Sequence, residues 1–135
     1  MQRLGLLGVF ILLMISCSKD NSSHIPEVYV DYKISLQEFN IKNTNGILLV
    51  NNEGYAGLII CRTPIGGYAA FDRCSSVDPE KKCAVTPDAG GLTATDPCSA
   101  AKFSLLDGAA VKAPAVRPLK QYQVLVSSFE IAVIN

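Results

Sequence analysis

The sequence predicts an all-β domain, because the residues from Glu27 onward have three features that favour strands over helices. Short apolar runs alternate with clusters of Gly, Pro, Asn and Asp, which is typical of strands joined by turns. The runs are rich in Val, Ile, Tyr and Phe, residues favoured in strands. No segment has the apolar spacing of a convincing amphipathic helix. We therefore expect antiparallel strands, with one helical turn at most, between Leu36 and Ile41.

Each predicted strand has its own signal. In Val28–Ile34 the even positions form one apolar face, whereas Gly57–Cys61 is continuously apolar and predicts a strand buried on both faces. Near the end of the chain, two apolar runs flank Ser127 and Ser128 and predict a hairpin. The predicted strands are, in order, Val28–Ile34, Ile47–Val50, Gly57–Cys61, Tyr68–Phe71, Tyr122–Val126 and Phe129–Val133.

The N-terminus has the layout of a signal peptide. A basic residue, Arg3, precedes an apolar run over residues 4–15, and Ser16-Cys17 follows. The run is shorter than the roughly 20 residues of a membrane-spanning helix. The small residue before Cys17 resembles a lipobox, in which the Cys sulfur is acylated before cleavage. The alternative is an ordinary secretory signal with an incidental Cys.

This reading divides the chain into three parts. Residues 1–16 are the predicted lipoprotein signal peptide, and residues 17–26 are a polar tether that begins at the lipidated Cys17. Residues 27–135 form the β domain. The predicted location is the cell envelope, where the lipid anchors the protein in a membrane at the periplasmic face or the outer surface.

Composition excludes several function classes. Twelve Lys and Arg balance twelve Asp and Glu, and the adjacent Lys81 and Lys82 are too few for a nucleic-acid interface. The single His, His24, lies in the tether. No paired carboxylates, Ser–His pair or phosphate loop indicates catalysis, so we predict that the protein is not an enzyme and has no catalytic residues.

Four cysteines follow Cys17. Cys61 lies in a predicted buried strand and is expected to be a free, apolar thiol. The other three, Cys74, Cys83 and Cys98, fall in two loop regions. Export favours disulfides, and two of these three could join the loops. The spacing alone does not choose between them.

Three segments together resemble the Rieske [2Fe–2S] domain. That family has a first loop of the form C-x-H-x-x-C and a second loop C-P-C-H-G-S-x-F, followed by a D-G turn and a Pro-rich segment. The matching segments here are Phe71-Asp72-Arg73-Cys74, Asp96-Pro97-Cys98-Ser99 with its continuation to Gly108, and residues 113–124. The resemblance implies stacked antiparallel sheets with a small subdomain that carries both loops at its tip.

The resemblance also assigns the cluster positions. The four ligand positions fall on Cys74, Ser76, Asp96 and Ser99, of which only Cys74 keeps the family's residue. The two bridging cysteines of the family fall on Cys83 and Cys98, so this pair is implied as the disulfide. A Rieske centre needs two Cys thiolates and two His imidazoles. We therefore expect these positions to be vestigial and no cofactor to be bound.

These features are compatible with three hypotheses of function. The leading one is a non-enzymatic lipoprotein with a structural or binding role, whose protein or small-molecule partner is unknown. The alternatives are a Rieske-type electron carrier with a cluster completed atypically, and a thiol–disulfide module. A zinc site made of Cys74, Asp96 and either Asp72 or Asp78 is a weak candidate, and no metal is predicted.

Overall fold

The computed structural model of the chain describes residues 24–135. The predictions for the signal peptide, for Cys17 and for most of the tether therefore lie outside the described residues. Within residues 24–135, no helix is long and apolar enough to cross a membrane.

The described chain forms two antiparallel sheets. The six-stranded sheet has the order β1-β10-β9-β4-β3-β2, and the four-stranded sheet has the order β5-β6-β7-β8. A short helix, α1, follows β1. The elements are β1 Asp31–Ser35, α1 Leu36–Lys42, β2 Ile47–Val50, β3 Leu58–Arg62, β4 Tyr68–Asp72, β5 Thr86–Pro87, β6 Thr93–Thr95, β7 Lys102–Ser104, β8 Ala110–Lys112, β9 Gln121–Val126 and β10 Glu130–Ile134. This is the all-β, Rieske-like architecture that the sequence predicts.

Strand β3 has core on both sides, as its continuous apolar run predicts. Ile59 and Cys61 pack with residues of the four-stranded sheet, among them Phe103. Leu58 and Ile60 point to the opposite face and pack with residues of β1, α1 and β10. Burying a side chain of this size stabilises the fold by about 1.5–3 kcal/mol. Consequently β3 holds the two halves of the molecule together.

The first strand begins later than predicted. Strand β1 starts at Asp31, which pairs with Ile134, because the partner strand ends there. The Asn135 side chain continues the pairing instead: its Oδ1 accepts from the Val30 amide at 3.1 Å, and its amide donates to the Val28 carbonyl. The predicted apolar face is confirmed, since Val30 and Ile34 are buried.

Helix α1 is longer than the predicted single turn. It covers seven residues and begins at the N-cap Ser35, whose hydroxyl accepts from the Glu38 amide at 3.0 Å. The cap and one buried side chain, Phe39, stabilise it. Phe39 and the partly buried Leu36 are the helix residues that pack against the core, which gives too weak a periodicity to show a helix in the sequence.

The individual strands of the four-stranded sheet cannot be recognised in the sequence. Its strands have two or three residues each, which is too short for a visible alternation. Buried Val85, Ala94 and Phe103 pack it against β3 and β4. This sheet carries the two loops at its tip.

Candidate functional site

Two loops meet at the tip of the four-stranded sheet, and a disulfide joins them. The first loop runs from the end of β4 to β5, and the second connects β6 to β7. Cys83 of the first loop is bonded to Cys98 of the second, with a Cα–Cα distance of 6.2 Å. This is the pair that the Rieske resemblance implies. Cys61 and Cys74 are free and buried, as expected for Cys61.

A buried carboxylate adds a second link between the loops. Asp96 is 2% exposed, and its Oδ2 accepts from the hydroxyls of Ser75 at 2.7 Å and Ser99 at 2.6 Å. Its Oδ1 accepts from the Cys98 amide at 2.8 Å. Burial raises the pKa of Asp96, but the hydrogen bonds from Ser99, Ser75 and Cys98 outweigh it and leave the pKa below its usual value. Asp96 is therefore ionised at neutral pH.

Ser76 and Cys74 also have partners within the tip. The Ser76 hydroxyl donates to the Arg117 carbonyl at 2.7 Å and ties the Pro-rich segment to the first loop. The Cys74 thiol lies 3.5 Å from the Pro79 carbonyl and is fully buried. Burial raises the pKa of Cys74 to about 12, and the charge of Asp72 adds to the effect. The thiol is therefore protonated and poorly nucleophilic at neutral pH.

A second buried carboxylate, Asp72, supports the base of the first loop. Its oxygens accept from the amides of Tyr55 at 2.6 Å, Ala56 at 3.1 Å and Cys74 at 2.8 Å. The Tyr122 hydroxyl donates to it at 2.7 Å, and burial together with this bond raises the pKa of Tyr122. A Cβ at Gly54 would lie 2.6 Å from the Asp72 carboxylate, so only glycine fits there.

The four positions that the resemblance assigns to cluster ligands are thus close together at the tip, but their chemistry does not fit a Rieske centre. They offer one thiol, two hydroxyls and one carboxylate, and each group has a hydrogen-bond partner inside the protein. The chain's one His, His24, is not in either loop. A centre that needs two imidazoles cannot be built from this set.

The possible metal ligands that the structure brings together differ from the zinc site considered from the sequence. Among residues 24–135, Cys83, Asp96 and Cys98 have donor atoms within 4.8 Å of one another. Cys74 with Asp96 and Asp72 or Asp78 is not such a group in the described chain. Ser75 cannot be recognised as a site residue from the sequence, because a serine beside a Cys has no signal of its own.

A separate groove lies between the edge strands β2 and β5. Its volume is about 500 Å³, within the range of small-molecule sites. The walls are mostly apolar and include one basic and one acidic side chain. They include Ile47, Leu49, Pro87, Lys42 and Asp88.

Comparisons with known proteins identify the fold. The sequence matches no protein-family model and no curated protein. Among solved structures, the plasma membrane Rieske protein PetC3 of the cyanobacterium Synechocystis PCC 6803 superposes with a TM-score of 0.56 at 23% identity, over 81% of this chain and 100% of that one. The ferredoxin of carbazole 1,9a-dioxygenase from Nocardioides aromaticivorans gives a TM-score of 0.54 at 18% identity, over 80% and 98%. The domain is Rieske-like in fold, and likeness at this level of identity establishes the fold alone.

Proposed function

We propose that this protein is an exported, membrane-anchored lipoprotein whose Rieske-like domain works without an iron–sulfur cluster. Its role is structural or binding, and it is not an enzyme. The partner is a protein or a small molecule, which binds at the loop tip or in the groove between β2 and β5.

One observation carries the proposal: hydrogen bonds and a disulfide take the place of metal ligands at the tip. In the family pattern each loop supplies two ligands, so the cluster ties the loops together. Here the Asp96 carboxylate binds Ser75 of the first loop and Ser99 of the second, and Cys83–Cys98 adds a covalent link. These bonds connect the two loops, as a cluster would. The tip then has no set of thiolates and imidazoles that could hold a cluster.

Thiol chemistry supports the non-enzymatic reading. Burial raises the pKa of Cys61 to about 12, as it does for Cys74, so neither thiol is a nucleophile at neutral pH. The remaining described thiols are joined in the disulfide. Neither an electron carrier nor a thiol–disulfide module is favoured by these groups.

Membrane anchoring rests on the sequence of the first seventeen residues. The basic start, the short apolar run and the Ser16-Cys17 step are the pattern of an acylated signal sequence. The similar cyanobacterial structure is described as a plasma membrane protein, which is compatible with a membrane location.

The proposal is tested by iron content and visible absorbance of the full chain, purified from bacterial membranes after growth with added iron. The wild type is expected to be colourless and free of iron. The matched control restores the ligand residues in the same chain by Ser76→His, Asp96→Cys and Ser99→His. Two irons per wild-type chain would overturn the proposal. A Cys17→Ser variant tests the anchor separately and should leave the protein unacylated.

A further inference from the structure

Three side chains with metal-capable donor atoms lie together at the tip. The Cys83 and Cys98 sulfur atoms and an Asp96 carboxylate oxygen lie within 4.8 Å of one another. While the two sulfur atoms are bonded to each other, they are not free to bind a cation. After reduction they become two thiols beside a carboxylate, and zinc is bound by such Cys and Asp ligands.

Backbone hydrogen bonds hold these donors in place independently of the disulfide. The Ser75 amide donates to the Cys83 carbonyl at 2.9 Å, which fixes the first loop. In the second loop, the Ala100 amide donates to the Asp96 carbonyl and the Asp96 amide donates to the Ala101 carbonyl, both at 2.8 Å. Breaking the S–S bond removes none of these contacts. The donors therefore remain close together in the reduced chain.

The electrostatics of the tip favour a cation. Asp96 is almost completely buried, and the donors to its carboxylate, two hydroxyls and a backbone amide, are all neutral. Asp72 is a second fully buried carboxylate, and its donors are likewise amides and a phenol hydroxyl. Besides burial, both negative charges raise the pKa of Cys74, and the positive charge of Lys82 opposes them. A divalent ion would compensate this buried charge.

Access to the set comes from one side. Cys98 is exposed, whereas Cys83 and Asp96 are buried. We therefore expect a reductant and a metal ion to approach this set from the side of Cys98. The buried pair then supplies ligands that water cannot easily displace.

We propose that the reduced chain binds one zinc-type divalent ion through Cys83, Cys98 and Asp96, and that the disulfide closes this site. A dithiol supplies two electrons and two protons: the S–S bond breaks, two S–H bonds form, and the dithiol becomes a disulfide. The metal then displaces both thiol protons to solvent, and a water molecule fills the fourth position. Thiolate ligands select zinc or cobalt over magnesium or calcium.

The test uses cobalt(II) as a spectroscopic probe and zinc as competitor. The full chain in detergent is reduced with a dithiol, freed of it by anaerobic gel filtration, and titrated with cobalt chloride. We expect a sulfur-to-cobalt charge-transfer band that saturates at one ion per chain and disappears with zinc. The oxidised chain should show no band. Circular dichroism of the same reduced sample reports whether the sheets persist.

Three variants make the result specific. Cys98→Ser should remove the band, and Asp96→Asn, which keeps both thiols, should weaken binding at least tenfold. Cys61→Ser changes a buried thiol outside the set and should bind as the wild type does. The proposal is overturned if the reduced wild type shows no band, if it loses its sheets on reduction, or if Asp96→Asn binds as tightly as the wild type.

Discussion

The six-stranded sheet and the loop tip are stabilised by different forces. In the sheet, side chains such as Ile59 and Phe71 are fully buried among other apolar groups. At the tip, a disulfide and two buried carboxylates, Asp72 and Asp96, hold the loops. Apolar packing is generic, but each polar bond depends on a particular pair of residues. The tip of this fold can therefore be organised by hydrogen bonds and one covalent link.

The largest effect is expected from the apolar side. Replacing Phe71 with Ala removes a fully buried ring that packs against the position of Gly108, and should lower the free energy of unfolding by about 3–5 kcal/mol. Urea denaturation measures the loss. Phe129→Ala is the control, because that ring is 69% exposed and its removal should cost less than about 0.5 kcal/mol. Equal effects for both rings would contradict the packing.

The next effect comes from the covalent link. Cys98→Ser opens a loop with a sequence separation of 15, which by the loop-entropy estimate costs about 3 kcal/mol. Thermal unfolding with and without a reductant measures it. Reductant should lower the melting temperature of the wild type but leave that of Cys98→Ser unchanged.

Cys61→Ser is the matched control for loss of a thiol. It buries a hydroxyl in β3 and is expected to destabilise the domain, yet to remain sensitive to reductant because it keeps the disulfide. If Cys98→Ser melted at the wild-type temperature, the disulfide would not contribute to stability.

A smaller loss is expected when one polar link at the tip is weakened. Asp96→Asn replaces an oxygen that accepts from two serine hydroxyls or from the Cys98 amide, and should cost about 1–3 kcal/mol. Glu80→Gln, an exposed change in the first loop, should have no measurable effect. Urea titration of both variants separates a structural carboxylate from a general effect of charge.

The smallest effect concerns the flank of the four-stranded sheet. Asp88 accepts hydrogen bonds from Lys102, Thr93 and Thr95, which lower its pKa to about 2. Because the folded pKa lies below the unfolded value of 3.8, the contribution to stability is complete above pH 4 and is lost as the pH falls toward 2. The group is partly exposed, so solvent screening keeps the contribution small. Asp88→Asn should flatten the wild-type stability curve in this pH range.

The long strands could be predicted from the sequence because each contains several residues that follow one hydrophobic pattern. The alternation in residues 28–34 and the continuous run in β3 predicted a half-buried and a fully buried strand, and the structure has both. The bounds of β1 could not be predicted, since they depend on where β10 ends. The strands of the small sheet are set by contacts with β3 and β4 that are distant in sequence.

The positions and the disulfide of the tip could be predicted, but its hydrogen bonds could not. The Rieske resemblance implied the pair Cys83 and Cys98, which the structure joins. The part played by Ser75 depends on the folded distance to Asp96, which lies 21 positions away. From the sequence, Asp72 was a candidate metal ligand. In the structure it accepts hydrogen bonds from backbone amides and from Tyr122.

The most direct test of the cluster-free tip is native mass spectrometry of the mature chain from bacterial membranes, with and without reductant. In buffer freed of divalent metal ions, we predict a mass equal to the chain from Cys17 plus its acyl groups, with two hydrogens gained on reduction and nothing else bound. An additional mass equal to two irons and two inorganic sulfides in the folded protein would contradict the account.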